Sequence, residues 1–390
     1  MLSTLDASAG LSLAERDRRW AAIRAAMREE GVDILIATGN TGRYNHNTAD
    51  ARYITNLGGN DIDLHAIVPL EGDVTAIARA DRDWVTDIRE HHRSEADGII
   101  ERLQELGANG KRIGVAGLEG LIRSADGIVV HGVMKKLQAS FPAARLVNAT
   151  SMMLRVRAAK SDEEIARIQR AVQIAEAAVG ALVDNARPGV KDCAVYARMF
   201  AAEIENGGEI PVMLAWHAGK AGEQYRRLTQ ASATRVIESG DIIYTQIEGK
   251  WQGYLAQLDQ TVTIGKVPDL MREMADAQIE AFNAAVAAMK PGATFAEVYE
   301  ACANSAKGRR YAAKLILHGR GLGEDWPLLT TNRDPVLLAT PLQENYVVDV
   351  KPGIELDGKD MWGRFGDSVR VTRTGAERLG TRPQGFINLG

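Results

Sequence analysis

Cysteine is scarce in this chain: Cys193 and Cys302 are the only two among 390 residues. That excludes a disulfide framework and makes a reducing compartment the simpler home. Long apolar runs are missing too. No stretch reaches the roughly 18 apolar residues of a membrane span, and the opening MLSTLDASAGLSLAERDRRW carries acids and arginines where a secretion signal needs an apolar core. A cytoplasmic protein is expected. Neither sign of charge prevails: 47 Lys and Arg against 51 Asp and Glu leave a net charge of −4 and a pI near 6.1. No broad basic surface is therefore offered to nucleic acid or to an anionic membrane. What is present, 45% hydrophobic and 25% charged residues, is the composition of a globular protein and excludes collagen or a disordered chain. A chain of this length exceeds the roughly 250 residues at which single cores stop growing, so two domains are expected.

Apolar positions at helical spacing (Leu13, Trp20, Ile23, Met27) predict a helix over 13–30 that feeds a buried strand at Val32–Ala37. Apolar runs at Leu64–Val68, Val74–Ala78 and Arg112–Ala116 read as further strands, with helical segments around 83–106 and 126–140 between them. Such alternation predicts an α/β N-terminal domain. Ser161 with Glu164 three residues later forms a capping-box pattern. The helix it opens carries one apolar stripe through Ile165, Ile168, Val172, Ala175, Val179 and Leu182. The domain boundary is placed just before it, giving 1–155 and 156–390.

The second domain contains an internal repeat. Pro188-Gly189 and Val195-Tyr196 recur 103 residues later as Pro291-Gly292 and Val298-Tyr299. In each copy an Ala-rich helix ends at Pro-Gly, a second helix carries Val-Tyr, and strand-like sequence follows. Two copies suit a pseudo-twofold α+β domain; a solenoid needs three or more.

The segments after the repeats carry a resemblance. Gly240-Asp241-Ile242-Ile243-Tyr244-Thr245-Gln246, Gly253-Tyr254 with Gln257 through Thr261, His318-Gly319-Arg320-Gly321-Leu322-Gly323, Lys351-Pro352-Gly353 and Gly366-Asp367-Ser368-Val369 stand in this order. Together they resemble the signature of the creatinase, prolidase and methionine aminopeptidase superfamily, the pita-bread fold, and specifically its creatinase and aminopeptidase P branch. The resemblance is strong over about 155–390, and the linker Arg157-Ala158-Ala159-Lys160-Ser161 adds to it. It implies a pita-bread catalytic domain behind a creatinase/prolidase-like N-terminal domain, and a homodimer in which the N-terminal domain of one subunit lies near the other's active site.

Metallopeptidases of this superfamily hold two divalent cations with two Asp, one His and two Glu, hard oxygen donors that balance the metal charge. Here the two Asp positions are Gln246 and Gln257, and the two Glu positions are Lys351 and Gly366; the His is kept as His318. Four carboxylates are gone and an ammonium is added, so the expectation is a site with no metal and no cofactor. Creatinase, which works without metal, is the nearest precedent implied. Its carboxylate two positions past the second metal site falls on Asp259, but its base His falls on Thr229, so its mechanism does not carry over intact.

His318 follows an apolar run and precedes a Gly-rich turn. A side chain with an ordinary pKa of about 6.5 at such a strand end can exchange protons near neutrality; a structural imidazole is the plainer alternative. Lys351 shares a strand face with Asp349. Its ammonium can bind a substrate carboxylate, stabilise an oxyanion or simply neutralise a neighbouring carboxylate, for which Asp259 is the nearest candidate. Glu324 and Asp325 are candidate proton shuttles, although acid pairs in loops also merely face water. Candidate substrate contacts are His217, Gln246, Gln257, the guanidinium groups of Arg226 and Arg320 as anion clamps, and Tyr44 and Asn60 in the N-terminal domain. Glu248 and Trp251 read equally well as turn and packing residues. These residues suggest a metal-independent hydrolase of a C–N bond in a small, polar, carboxylate-bearing compound. The alternatives are a β-eliminating lyase, a non-catalytic binding protein and a metallopeptidase with atypical ligands. A catalytic site should bring His318, Lys351 and Asp259 within reach of one substrate atom, whereas a binding protein can bury them in structural pairs.

Overall fold

The computed structural model describes residues 10–42, 45–58, 64–79, 84–90, 94–121, 124–210, 212–220, 230–329, 335–361 and 363–390. The chain divides into two compact units. One runs to Glu163 and includes Leu322–Trp326; the other comprises Glu164–Gly321 and Pro327–Gly390.

In the first unit, α1 (Leu13–Glu30) starts at Ser12, whose hydroxyl accepts the Glu15 N–H at 3.1 Å, and stops at Gly31 in a left-handed conformation. Leu13, expected on the buried stripe, is exposed at the first turn. The buried face instead includes Arg19, which pairs with Glu15 at 2.7 Å and lies over the Tyr53 ring. A guanidinium can be buried here because an ion partner and an aromatic face both receive it. After β1 (Ile34–Ala37) come α2 (Ala49–Thr55), β2 (His65–Pro69), β3 (Thr75–Ile77), β4 (Asp87–Arg89), α3 (Glu95–Glu105), β5 (Arg112–Ala116), α4 (His131–Ser140), β6 (Arg145–Asn148) and α5 (Thr150–Ala158). The strands form one mixed sheet in the order β4-β3-β2-β1-β5-β6. Ile34, Ile36, Ile67, Ile113 and Val115 pack under Ile99 and Leu103 of α3 and Val133 and Leu137 of α4. The α/β expectation holds, with two differences. Part of the segment expected as helix over 83–106 is β4, paired parallel with β3 and tied to it by the Thr75 hydroxyl on Asp87 at 2.6 Å. The boundary expected at 155/156 falls inside α5, where Met152, Met153 and Leu154 are buried, so the chain leaves the first unit only after Glu163.

Leu322–Trp326 enters this unit through an ion cluster. Asp325 is buried against the Arg157 guanidinium and the Lys160 ammonium, the latter at 3.0 Å, and Arg157 also meets Asp50 at 2.8 Å. Gly323 has no side chain because a Cβ there would lie about 3 Å from the Ala49 Cβ and the His46 carbonyl (3.0 and 3.1 Å).

The second unit realises the repeat. α6 (Asp162–Asn185) and α7 (Asp192–Glu205) precede β7 (Leu214–Lys220), β8 (Asp241–Trp251) and β9 (Tyr254–Ile264). α8 (Asp269–Ala288) and α9 (Phe295–Ser305) precede β10 (Tyr311–Arg320), β11 (Glu324–Leu329), α10 (Pro335–Leu338) and β12 (Val347–Leu356). The turns correspond atom for atom. Gly189 and Gly292, at φ 90° and 88°, each donate a 2.9 Å backbone bond, to the carbonyls of Ile237 and Leu342. The bridges Lys191–Val236 and Thr294–Pro341 follow in register. β13 (Lys359–Met361), β14 (Asp367–Val371), β15 (Ala376–Arg378) and β16 (Ile387–Leu389) complete the unit. One sheet has the order β16-β9-β8-β7; in the other, β10, β12, β14 and β15 lie side by side. Asp259 on β9 and Gly366, just before β14, exchange both backbone hydrogen bonds at 3.0 Å and stitch the two sheets together.

Candidate functional site

The site is built by strand register. On β10 and β12, His318 faces Asp349 and Ile316 faces Lys351; on β12 and β14, Asp349 faces Ser368. Alternation then sets Asp349 and Lys351 on one face. In the β8–β9 hairpin Gln246 faces Asp259 and Glu248 faces Gln257. This hairpin turns at Gln252-Gly253, both at positive φ, the conformation a two-residue turn between twisted strands requires.

Asp349 is the hub. Its Oδ1 accepts the Ser368 hydroxyl at 2.6 Å, its Oδ2 accepts Arg320 Nε, and His318 Nδ1 lies 3.5 Å from the same oxygen. Burial pushes its carboxyl above the usual range, and Arg320, Lys351 and the Ser368 hydroxyl pull it back. Arg320 Nη1 stands 3.7 Å from Glu248 Oε2. Lys351 Nζ donates to Gln257 Oε1 at 2.5 Å. The Tyr244 hydroxyl donates to Asp259 Oδ2 at 2.8 Å and Gln246 Nε2 reaches that oxygen at 3.5 Å; Asp259 Oδ1 is buried with no hydrogen-bond partner among the described residues.

His318, Lys351 and Asp259, three of the five residues expected to be catalytic, are 1%, 3% and 0% exposed, and each lies beside a polar partner. Asp259 was expected to pair with Lys351; instead Gln257 receives the ammonium and Tyr244 caps the carboxylate, because Gln257 on β9 and Lys351 on β12 face each other across the joined sheets. Asp325 is not brought here. Its carboxylate belongs to the Arg157 and Lys160 cluster of the first unit, which corrects the expectation of a proton shuttle. Arg320 is not an anion clamp on a rim: it is buried and faces two carboxylates of its own chain. His217 is half-buried on β7 opposite Tyr244, and Gln246 is half-buried beside Asp259. Glu324 opens β11. Tyr44, Asn60 and Arg226 lie outside the described residues.

At the five positions to which the resemblance assigns metal ligands, this chain carries one imidazole, two neutral amides, an ammonium and a glycine. Among the described residues no group of three or more His, Cys, Asp or Glu is arranged to hold a metal ion.

Two further residues belong to the site, and a third, Glu203 on α7, is close enough to feel the charge of Glu248. Asp349 and Tyr244 each lie two positions from an expected site residue on the same strand, a spacing that marks a shared face. Glu203 lies eight positions after Val195 and four after Met199, so an acid sits in the buried stripe of α7. Its two carboxylate oxygens have no hydrogen-bond partner among the described residues, and burial, reinforced by the charge of Glu248, pushes its pKa up to about 9. Glu203 is therefore a neutral acid at pH 7.

Residues 166–373 match Metallopeptidase family M24, and residues 19–159 match the Creatinase/Prolidase N-terminal domain. The chain is 27% identical over 396 residues to the "Uncharacterized hydrolase/peptidase y4tL" of Sinorhizobium fredii, covering 95% of this chain and 96% of that one. It is 27% identical over 282 residues to an agropine synthesis cyclase of Rhizobium rhizogenes, covering 68% and 70%. The crystal structure of an X-Pro aminopeptidase from Thermotoga maritima superposes with a TM-score of 0.74 at 21% identity, over 93% of this chain and 99% of that one, which establishes the fold.

Proposed function

Because the chain belongs to metallopeptidase family M24 and yet lacks a carboxylate at the four positions that resemblance assigns to metal-binding acids, we propose that it is a metal-independent hydrolase of a C–N bond in a small, polar, carboxylate-bearing compound. One observation carries the reading: Lys351 and Gln257, at two of those positions, are hydrogen-bonded to each other. An amide oxygen that already accepts from an ammonium is a poor ligand for M²⁺, and the ammonium repels one. The residues do not fit the two-metal centre.

In this reading Asp349, fixed by Ser368 and Arg320, orients His318 through Nδ1, so that Nε2 takes and returns the proton. Water is the nucleophile and the amine leaves with the proton that His318 returns; Lys351 supplies fixed positive charge, for the oxyanion where a carbonyl carbon is attacked and for the substrate carboxylate where an amidine carbon, which forms no oxyanion, is attacked. Asp259, held by Tyr244, presents Oδ1 to a substrate N–H. The named activity of the Rhizobium rhizogenes relative, a cyclase, supports small-molecule chemistry on this sequence background. A homodimer belongs to the same reading and is checked by light scattering.

A second reading, a non-catalytic binding protein, draws on a specific observation: His318, Lys351 and Asp259 are all buried in polar pairs. Elemental analysis after incubation with Mn²⁺, Co²⁺, Fe²⁺ and Zn²⁺ and desalting tests the first reading at its base. Near-zero metal together with turnover of creatine-like or cyclic amidine substrates supports it. One or two tightly held ions per chain restore the metallopeptidase. Metal-free protein whose thermal stability rises with such compounds, without turnover, is the binding protein.

A further inference from the structure

Gly366 stands where the superfamily's metallopeptidases place a metal-binding Glu, and its loss could be read as decay of a ligand. The packing says otherwise. A Cβ built on Gly366 would lie 2.6 Å from Lys351 Cγ, closer than side-chain carbons approach, and 3.1 Å from both the Asp259 Cβ and the Val350 carbonyl. The backbone of residue 366 is pinned by its two 3.0 Å bonds to Asp259, so it cannot retreat. The Lys351 stem therefore runs through the volume that a side chain at 366 would fill, and its tip meets Gln257 Oε1.

We infer that Gly366 is a positioning residue for Lys351: by having no side chain it gives the lysine stem its path across β14 and aims the ammonium at Gln257. This rests on the reading of Lys351 as the fixed cation of the site. The substitutions at 351 and 366 are then one event in two places: a tethered cation needs both the lysine and the empty position. The pair is a two-residue signature readable in sequence, Lys before Pro-Gly together with Gly before Asp-x-Val. A chain with Lys at the first place and a larger residue at the second is excluded by the same contact.

A double-mutant cycle by urea unfolding tests the inference in full-length protein. Gly366→Ala should lower the folding equilibrium constant by about tenfold or more, an overpacking cost. The loss should be the same when combined with Lys351→Met, which keeps the stem, and largely absent when combined with Lys351→Ala, which removes it. The side-chain amide signals of Gln257, in protein labelled with ¹⁵N-glutamine and assigned by their absence in Gln257→Met, should shift in Gly366→Ala as they do in Lys351→Met. An equal loss with Lys351→Ala would place the obstacle at Asp259 or Val350 and overturn the inference. So would relief by Lys351→Met, which would make charge and not the stem the cause, or an unmoved Gln257 signal. None of these readouts depends on metal content, so metal found by elemental analysis would sink the metal-independent reading and leave the packing result to stand or fall by itself.

Discussion

Two buried ionic clusters in this molecule invite comparison. In the first unit, Arg157 and Lys160 face Asp50 and Asp325: two cations and two carboxylates joined by ion pairs, with the Lys160 ammonium also donating to the Ala158 carbonyl at 2.8 Å. In the second unit, Arg320 and Lys351 share their surroundings with Asp349, Glu248, Asp259, an imidazole and amides, and Asp259 Oδ1 and the Glu203 carboxyl are left without hydrogen bonds among the described residues. The first cluster is balanced in charge, two cations against two carboxylates. The second is heterogeneous: neutral amides and an imidazole stand among its charged groups. Equal burial thus covers two kinds of arrangement: one in which ion pairs tie down a segment of chain, and one that mixes charged groups with neutral partners.

The comparison can be broken most directly at Arg157. Arg157→Ala leaves Asp50 and Asp325 buried with one fewer cation and should cost about 3–5 kcal/mol in urea unfolding; a cost under about 1 kcal/mol would show that the cluster holds nothing. Next comes Glu203. Its pKa is raised from 4.5 to about 9, so the folded state holds a proton that the unfolded state has released between those values. Stability must then fall as pH rises through that window, by about 1.4 kcal/mol per unit. Glu203→Gln should remove this slope and stabilise the protein by about 3 kcal/mol at pH 7. A parallel pH dependence in wild type and variant would refute the neutral acid. Ser368→Ala removes the 2.6 Å bond to Asp349 and should cost about 1–2 kcal/mol in a melt, with an acid-side shift in the pH profile of any turnover found. Last is Lys351→Met, which leaves buried Gln257 Oε1 without its donor and should cost about 1–2 kcal/mol in urea unfolding. Turnover should nevertheless fall by about 10²–10³. A large loss of stability would move Lys351 into the same class as Arg157.

Much of the second unit was legible in sequence because its signals are local. Pro-Gly turns demand positive φ at Gly189 and Gly292, and the period of two along β8, β9 and β12 fixes which residues share a face. The order of the motifs then identified the fold. What stayed hidden depends on distant chain. Nothing near Asp325 announces that Arg157 and Lys160 await it, so a pair of acids in a loop read as shuttles. Arg320 read as a surface clamp because its two carboxylate partners lie on other strands. β4 became a strand by pairing at an existing sheet edge; its own sequence only Ile88 marks as apolar. Gly366 showed an absent ligand, while the lysine stem that fills its place is visible only in packing.

Leu322–Trp326 has a consequence for how the protein is made. The first unit includes this segment, and Asp325 is the shared partner of Arg157 and Lys160. When residues up to Glu163 leave the ribosome, that cluster lacks Asp325, and it can close only after the helix-rich chain through Gly321 has followed. The N-terminal unit begins first and finishes late, with a long-range contact as its last step. A gene fragment cut at the apparent domain boundary would encode a unit with two buried cations and one carboxylate between them, which predisposes it to aggregation when expressed alone.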